Sequence, residues 1–438
     1  MGHAARKRAS GVFTTFAAIA VLCSCSLLSA CDQSAGSASS VPATHTRLTA
    51  LIWAPDWPEE MHKIADAFHR ENPDITVDVQ FMIGNSVEEN LKPKVATNNL
   101  PDLVSVNPNA YAAELATQGI LADVGGSAAW DNMLDSLKPD WTTLYGKRFG
   151  ISGGVAATLI YYNKDMFRKA GITALPGNFD EFLATCAALR KAGFTPIVWS
   201  GAFPNMLANG PFSSGFANNV VAHHPKDWKA RIADGSLDLN NDAAVDIFAK
   251  IKLIADKGYV QRGYMSTGYD EGNRLFAEGK AAMAFQGTWS SGQLMHGNHF
   301  ETGTFVPPWN APGKTVVPVV GSETGFAVAE TRNKKAAMKF LEFIYDKGYP
   351  ILQNKRQNVS PLKYVGGKTV TDQKIVDYVE HVAQAPLTAG PYYSYLPTNT
   401  IDMLHPLLQD VLFGKKTPRQ AAQALEKSIR HEARTENK

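Results

Sequence analysis

Tryptophans and short polar side chains stand just past several apolar runs of this 438-residue chain. Trp53, Asp56 and Trp57 end or follow the run 48–53, Asn107 and Asn109 follow 103–106, Trp199 follows 196–198, and Trp289 follows 281–285. Indole rings offer flat apolar faces, whereas carboxylates and amides offer hydrogen-bonding edges. A sugar has the complementary chemistry, polarised C–H faces and a rim of hydroxyls, so a pocket of Trp, Asp and Asn suits it. Each residue also has a plainer reading: a Trp packs as a core ring, and Asn107 and Asn109 flank Pro108 as turn residues. Tyr392, Tyr393 and Tyr395 share the Gly- and Pro-containing loop 389–397, which either lines a cleft or covers a helix.

Other chemistry lacks its spacing. Two Gly-Lys-Thr triplets, at 313–315 and 367–369, carry Pro308 and Leu362 where a phosphate-binding loop needs its first Gly. His296 and His299 lack the Glu and the helical frame of a zinc protease. Asp238, Asn240 and Asp242 imitate the start of a calcium loop, but Ala243 replaces its turn Gly and Ala249 its final Glu. In 321–325 Glu323 occupies the place of a nucleophilic Ser between two glycines. A glycosidase pair leaves no such trace, because its two carboxylates meet only in the fold. No catalytic group, metal site or cofactor is therefore expected.

The elements that must position these residues alternate. Strands are expected over 48–53, 75–81, 103–106, 158–162, 196–199, 281–285 and 325–329, with helices between them. Pro58 with Glu59 and Glu60 opens the first helix, Ser86 caps the second, and Asn178 with Glu181 makes a capping box for 179–192. Helices follow over 240–257, closed by Gly258, and 334–346, and Thr417, Pro418 and Gln420 start the last one. Such alternation predicts an α/β protein with largely parallel sheets, whose ligands bind at the carboxyl ends of strands.

Residues 1–30 differ in composition: Arg6, Lys7 and Arg8 precede the apolar stretch 12–28, which ends in Leu28-Ser29-Ala30-Cys31. The pattern is that of a secretion signal, too short for a comfortable membrane span, and the Ser- and Ala-rich stretch that follows reads as a tether. Its ending resembles the bacterial lipobox, whose cleavage leaves Cys as the lipid-bearing first residue, here Cys31. Cys23 and Cys25 leave with the signal, so Cys186 is the one other mature thiol and no disulfide framework is expected. Without the three basic residues the formal charge of +2 becomes −1, with both signs scattered, which is no nucleic-acid footprint. The 408 residues beyond position 30 suffice for two domains.

Five segments then carry a resemblance: Asn72-Pro73-Asp74-Ile75-Thr76-Val77, Pro101-Asp102-Leu103-Val104, Tyr162-Asn163-Lys164-Asp165-Met166-Phe167 with Ala170-Gly171-Ile172, the stretch 276–283, and Gly414-Lys415-Lys416-Thr417-Pro418. In this order over 45–433 the chain resembles the family 1 extracellular solute-binding proteins, sugar-binding proteins similar to the maltose-binding protein. The resemblance implies a two-lobed periplasmic-binding-protein fold, type II-like, with a ligand cleft between lobes that close about a hinge. It places the signal at 1–30, the tether at 31–44, lobe one at 45–153 plus 325–360, and lobe two at 154–322 plus 361–438. By the same resemblance Trp289 stacks on a sugar ring, and Trp53, Asp56, Asn107 and Asn109 reach the ligand. Glu323 and Arg356 read either as polar ligand contacts or as an interlobe ion pair or surface charges, and Tyr392 as a cleft residue. The small residues at 152–157 depart from the family's pattern and imply a wider cleft there, or contacts from the backbone. The implied protein is a monomeric lipoprotein on the outer face of the cytoplasmic membrane, not an enzyme, which delivers a sugar to the permease of an ABC importer. A polyamine, peptide or phosphorylated sugar is the alternative cargo, and an extracellular glycosidase the alternative activity.

Overall fold

The structure, a computed structural model, describes residues 45–436 apart from 56, 85 and 366–371. The expected signal, tether and Cys31 anchor lie outside the described residues, as does Asp56. The strands are β1 (Thr46–Ile52), β2 (Ile75–Phe81), β3 (Leu103–Val106), β4 (Val155–Asn163), β5 (Ile197–Val198), β6 (Met283–Gly287), β7 (Thr302–Phe305), β8 (Val320–Ser322) and β9 (Gly325–Val328). The first three helices are α1 (Pro58–Glu71), α2 (Val87–Ala96) and α3 (Ala110–Thr117).

Local signals set the first sheet. Pro58 occupies the first turn of α1, acidic Glu59 and Glu60 face its N-terminus, and Met61, Ile64, Ala65 and Phe68 make its buried stripe. Ser86 Oγ accepts from Glu89 N to start α2, and Asn109 Oδ1 accepts from Ala112 N to start α3. The sheet runs β2-β1-β3-β9, with β1 parallel to β2 and β3, and β9 antiparallel to β3. The ends of β1 and β3 and the start of β9 thereby meet at one edge.

The second sheet runs β5-β6-β4-β7, with β8 also on β4. Only β5 and β6 pair in parallel; β4 is antiparallel to β6, β7 and β8. The expected largely parallel arrangement therefore holds for the first sheet and fails for the second. Alternation fixes element type, but the long excursion between β4 and β6 lets the chain return in either direction. Strict two-residue periodicity marks this sheet: Leu159, Tyr161, Ala284 and Val198 pack into a core continuous with the first sheet. Ile160, Met283, Phe285 and Ile197 pack on the opposite face, around Trp309 and Phe248.

Three stretches of chain run side by side between the sheets. Ile151 bridges Phe326, while Val155 pairs with Ser322 and bridges Val359. Added Cβ atoms would stand 2.3 Å from Thr324 O at Gly153 and 2.2 Å from Asn358 Nδ2 at Gly154. Gly153 and Gly154, among the small residues at 152–157, thus permit close approach between the crossing stretches. Among the described residues no helix is long and apolar enough to cross a membrane.

Candidate functional site

A cleft enclosing about 750 Å³ of empty space, open solvent included, lies where the ends of both sheets converge. From the first sheet it is lined by Trp53, Pro55, Trp57, Asn107 and Thr324, together with Ser86, Val87 and Glu88 at the start of α2. From the second it takes Phe203, Asn205, Met206, Asn209, Tyr269, Trp289, Tyr392, Tyr393 and Ile401, with Glu323 and Arg356 between. The carboxyl-end rule for α/β sheets places Trp53 and Asn107 here directly.

Of the residues singled out from sequence, Trp53, Asn107, Trp289, Glu323, Arg356 and Tyr392 come together in this cleft. Trp289 stands in a short turn after β6, its ring folded back over Gly287, so that a Cβ there would fall 2.1 Å from the indole. Asn109 does not line the cleft; it caps α3 and donates from Nδ2 to Glu88 Oε1 at 2.7 Å. Trp199 is buried in the second core, edge-on to Tyr264 with centroids 6.0 Å apart. Its backbone is pinned by Gln261, and β5 is only two residues long, so the chain turns toward the cleft several residues later than Trp199.

That later turn supplies residues the sequence reading missed. Phe203, Asn205 and Asn209 follow β5, and Asn209 lies in the π-helical turn Ala208–Phe212, a geometry frequent at functional sites. Trp53 and Phe203 stack across the cleft, centroids 6.4 Å apart and 22° between planes, and Tyr269 meets Phe203 edge-on at 5.5 Å. A signal for them existed in the Gly-, Pro- and Asn-rich stretch 201–211 directly after a strand.

Glu88, also missed, is 1% exposed yet fully committed. Its Oε1 accepts from Asn107 Nδ2 at 2.9 Å and from Asn109 Nδ2, and its Oε2 accepts from Ser86 Oγ at 3.0 Å. Asn107 in turn accepts from Thr324 Oγ1 at 2.6 Å, which ties α2 and β3 to the start of β9. Glu323 and Arg356 form a buried ion pair with each other. Asn358 Nδ2 also donates to Glu323 Oε2, and both Arg356 Nη1 and Asn358 Nδ2 donate to Gly153 O, so one cluster joins all three crossing stretches. The Arg356 guanidinium lies 5.1 Å from the centre of the Trp57 ring, a cation–π contact.

On the other wall a relay runs from Asn209 Nδ2 to Asn205 Oδ1 at 2.6 Å and from Asn205 Nδ2 to the Tyr392 hydroxyl at 3.1 Å. The same hydroxyl lies 2.8 Å from His405 Nε2. Burial pulls His405 down to about 4, with Asp402 partly opposing, and burial pushes the Tyr392 and Tyr393 hydroxyls well above their ordinary range. Cys186 is buried in the helix Phe179–Lys191, where desolvation likewise pushes its thiol up. Among the described residues no group of three or more His, Cys, Asp or Glu is placed to hold a metal. The described lining offers rings, amides, two carboxylates and one guanidinium about a cavity, a set suited to holding a polar solute.

Comparison with known proteins matches residues 54–349 to the family described as bacterial extracellular solute-binding protein. The multiple sugar-binding protein of Streptococcus mutans is 24% identical over 73% of this chain and 75% of its own length. The sn-glycerol-3-phosphate-binding periplasmic protein UgpB of Escherichia coli K12 is 24% identical over 83% of this chain and 86% of its own. Among solved structures, a chitin oligosaccharide binding protein superposes with a TM-score of 0.77 at 21% identity, covering 89% of this chain and 99% of that one. At that identity the superposition establishes the fold, which is two-lobed. These relatives are binding proteins.

Proposed function

The chain belongs to the bacterial extracellular solute-binding protein family, and we propose that it captures a sugar, more than one ring long, in the cleft and delivers it to the permease of an ABC importer. The observation that carries this reading is the cleft itself, where Trp53, Trp57, Phe203, Tyr269 and Trp289 supply ring faces beside Asn107, Asn205, Asn209 and Glu323. Aromatic faces match the C–H faces of a pyranose, and amides and carboxylates match its hydroxyls. The names of the sugar-binding relatives point the same way.

In this reading the lobes comprise 45–153 plus 325–360 and 154–322 plus 361–438, and they close because ligand touches both. Trp53, Asn107, Trp289, Glu323 and Tyr392 contact the sugar, Asp56 joins them from outside the described residues, and Arg356 holds Glu323 in place. Asn109 and Trp199 support these contacts from behind the cleft. Cys31 carries the lipid that holds a monomer at the outer face of the cytoplasmic membrane, beside its permease. No catalytic step is assigned to the carboxylates of the described lining: Glu88 accepts from Ser86, Asn107 and Asn109, and one oxygen of Glu323 accepts from Arg356 and Asn358.

One relative binds a phosphorylated solute, so that cargo is the rival. It fits less well here. The terminal nitrogens of Arg356 donate to Glu323 and Gly153, and at the N-terminus of α2, an otherwise natural phosphate site, Ser86 already accepts from Glu89 N with the Glu88 carboxylate beside it. Calorimetric titration of the protein from Asp32 onward against mono- to tetrasaccharides and glycerol phosphate tests the assignment, with chromatography of the ligand afterwards. Saturable binding of an oligosaccharide recovered intact supports it; cleavage, or binding of glycerol phosphate alone, overturns it.

A further inference from the structure

We propose that Glu323 selects the cargo: its second carboxylate oxygen takes a hydrogen bond from the ligand, so the cleft prefers a sugar bearing a protonated amine to its neutral counterpart and rejects a sugar acid. This inference rests on the sugar reading above and adds the charge of the preferred sugar.

The argument is an account of donors and acceptors. Glu323 is 3% exposed, and its Oε2 accepts from Arg356 and Asn358. Its Oε1 has no donor among the described residues. Asn209, 4% exposed, gives its Nδ2 to Asn205, while its Oδ1 likewise has no donor among them. Both residues line the cleft. A buried acceptor left unmade is unfavourable, and more so when charged, so a ligand that brings donors to these atoms is bound in preference to one that brings acceptors.

Charge points the same way. The charged residues among the described lining are Glu88, Glu323 and Arg356, a formal surplus of one negative charge. The terminal nitrogens of Arg356 are turned to Glu323 and Gly153 and its face to Trp57. An anionic ligand would therefore meet two carboxylates and one guanidinium whose terminal nitrogens already donate within the protein. A protonated amine gains a charge-assisted hydrogen bond, about twice as strong as a neutral one, in a cleft also lined by aromatic rings. A hydroxyl satisfies Oε1 too, but without the charge.

Calorimetry on the wild-type chain and Glu323→Gln, using α- and β-linked di- and trisaccharides built on glucose, glucosamine and glucuronic acid, tests the inference. The wild type binds the glucosamine form about tenfold more tightly than the glucose form of the same linkage and the glucuronate form at least tenfold more weakly, and Glu323→Gln abolishes the amine preference. If Glu323→Gln proves too unstable to titrate, Asn209→Asp places a carboxylate at the second acceptor without touching the ion pair, though it removes the donor to Asn205, and must raise the ratio of amine to neutral affinity even where both fall. Glucuronate binding as tightly as glucosamine, or an amine preference unchanged in these variants, overturns the inference while leaving the sugar reading intact. Silence across the whole panel overturns both.

Discussion

Arg356 and Glu323 are paired inside the protein where three stretches of chain cross between its two sheets, and Asn358 and Gly153 complete the cluster. The pair is 8% and 4% exposed at its side chains, so each charge depends on the other. Arg356→Met leaves the Glu323 carboxylate buried and without its cation, a loss of about 3–5 kcal/mol. Urea denaturation should show a lower midpoint for Arg356→Met, and a midpoint unchanged from wild type would mean that the crossing does not rely on this pair.

Trp289 is expected to hold a ligand ring, and Gly287 sets where its indole lies. Trp289→Ala should weaken oligosaccharide binding by at least about tenfold with little change in stability, because the ring is only half-buried and acts as a binding-site anchor. Gly287 has φ −107°, an ordinary value, so Gly287→Ala brings no backbone strain. Its methyl must instead displace the Trp289 ring, and affinity should fall in the same direction. Calorimetry on both variants checks this; full affinity in Gly287→Ala would show that the observed ring position is not the binding one.

Lys92 on α2 reaches Asp402 Oδ2 at 2.8 Å and Asn399 Oδ1 at 2.9 Å, both on the helix Thr398–Leu412. Since α2 packs beside the first sheet and Thr398–Leu412 beside the second core, the contact favours the arrangement in which the cleft walls are close. The pair is part-exposed, so its worth is at most about 1 kcal/mol and salt screens it. Lys92→Met should weaken binding a fewfold at low salt and converge with wild type at high salt; a gap that persists in high salt would point to packing instead.

His405 predicts a pH dependence with a definite sign. Its pKa is about 4 in the fold and about 6.5 in an unfolded chain, so the neutral form is favoured by folding. The contribution is complete above about pH 6.5 and is lost as pH falls toward 4, up to about 3 kcal/mol in all. Protonation also leaves His405 Nε2 able only to donate to the Tyr392 hydroxyl, whose oxygen already accepts from Asn205 Nδ2. Melting temperatures should therefore drop between pH 7 and 4.5, and His405→Gln should flatten that drop; an equal slope in the variant would assign it to other groups.

The parts legible in sequence were those governed by local chemistry. Capping by Ser86 and Asn178, the pairing of Thr417 with Gln420, and the strand ends at Trp53, Asn107 and Trp289 all follow from a few neighbouring residues. Glu88 was illegible because its partners Asn107 and Asn109 lie 19 and 21 positions away and meet it only through the β3–α2 packing. Phe203 and Asn209 were hidden by a strand two residues long followed by π-helical turns, so the strand-end rule stopped at Trp199, which packs into the core. The direction of β4 against β6 and β7 depends on long connections that no local pattern sets.

The most direct test of the central claim is a crystal structure grown with the oligosaccharide that binds most tightly. The account predicts one intact sugar chain in the cleft, a ring against Trp289, a second region near the stacked Trp53 and Phe203, and a ligand donor at Glu323 Oε1. A sugar bound elsewhere, or a cleft that closes on a phosphorylated solute through Arg356, would contradict it.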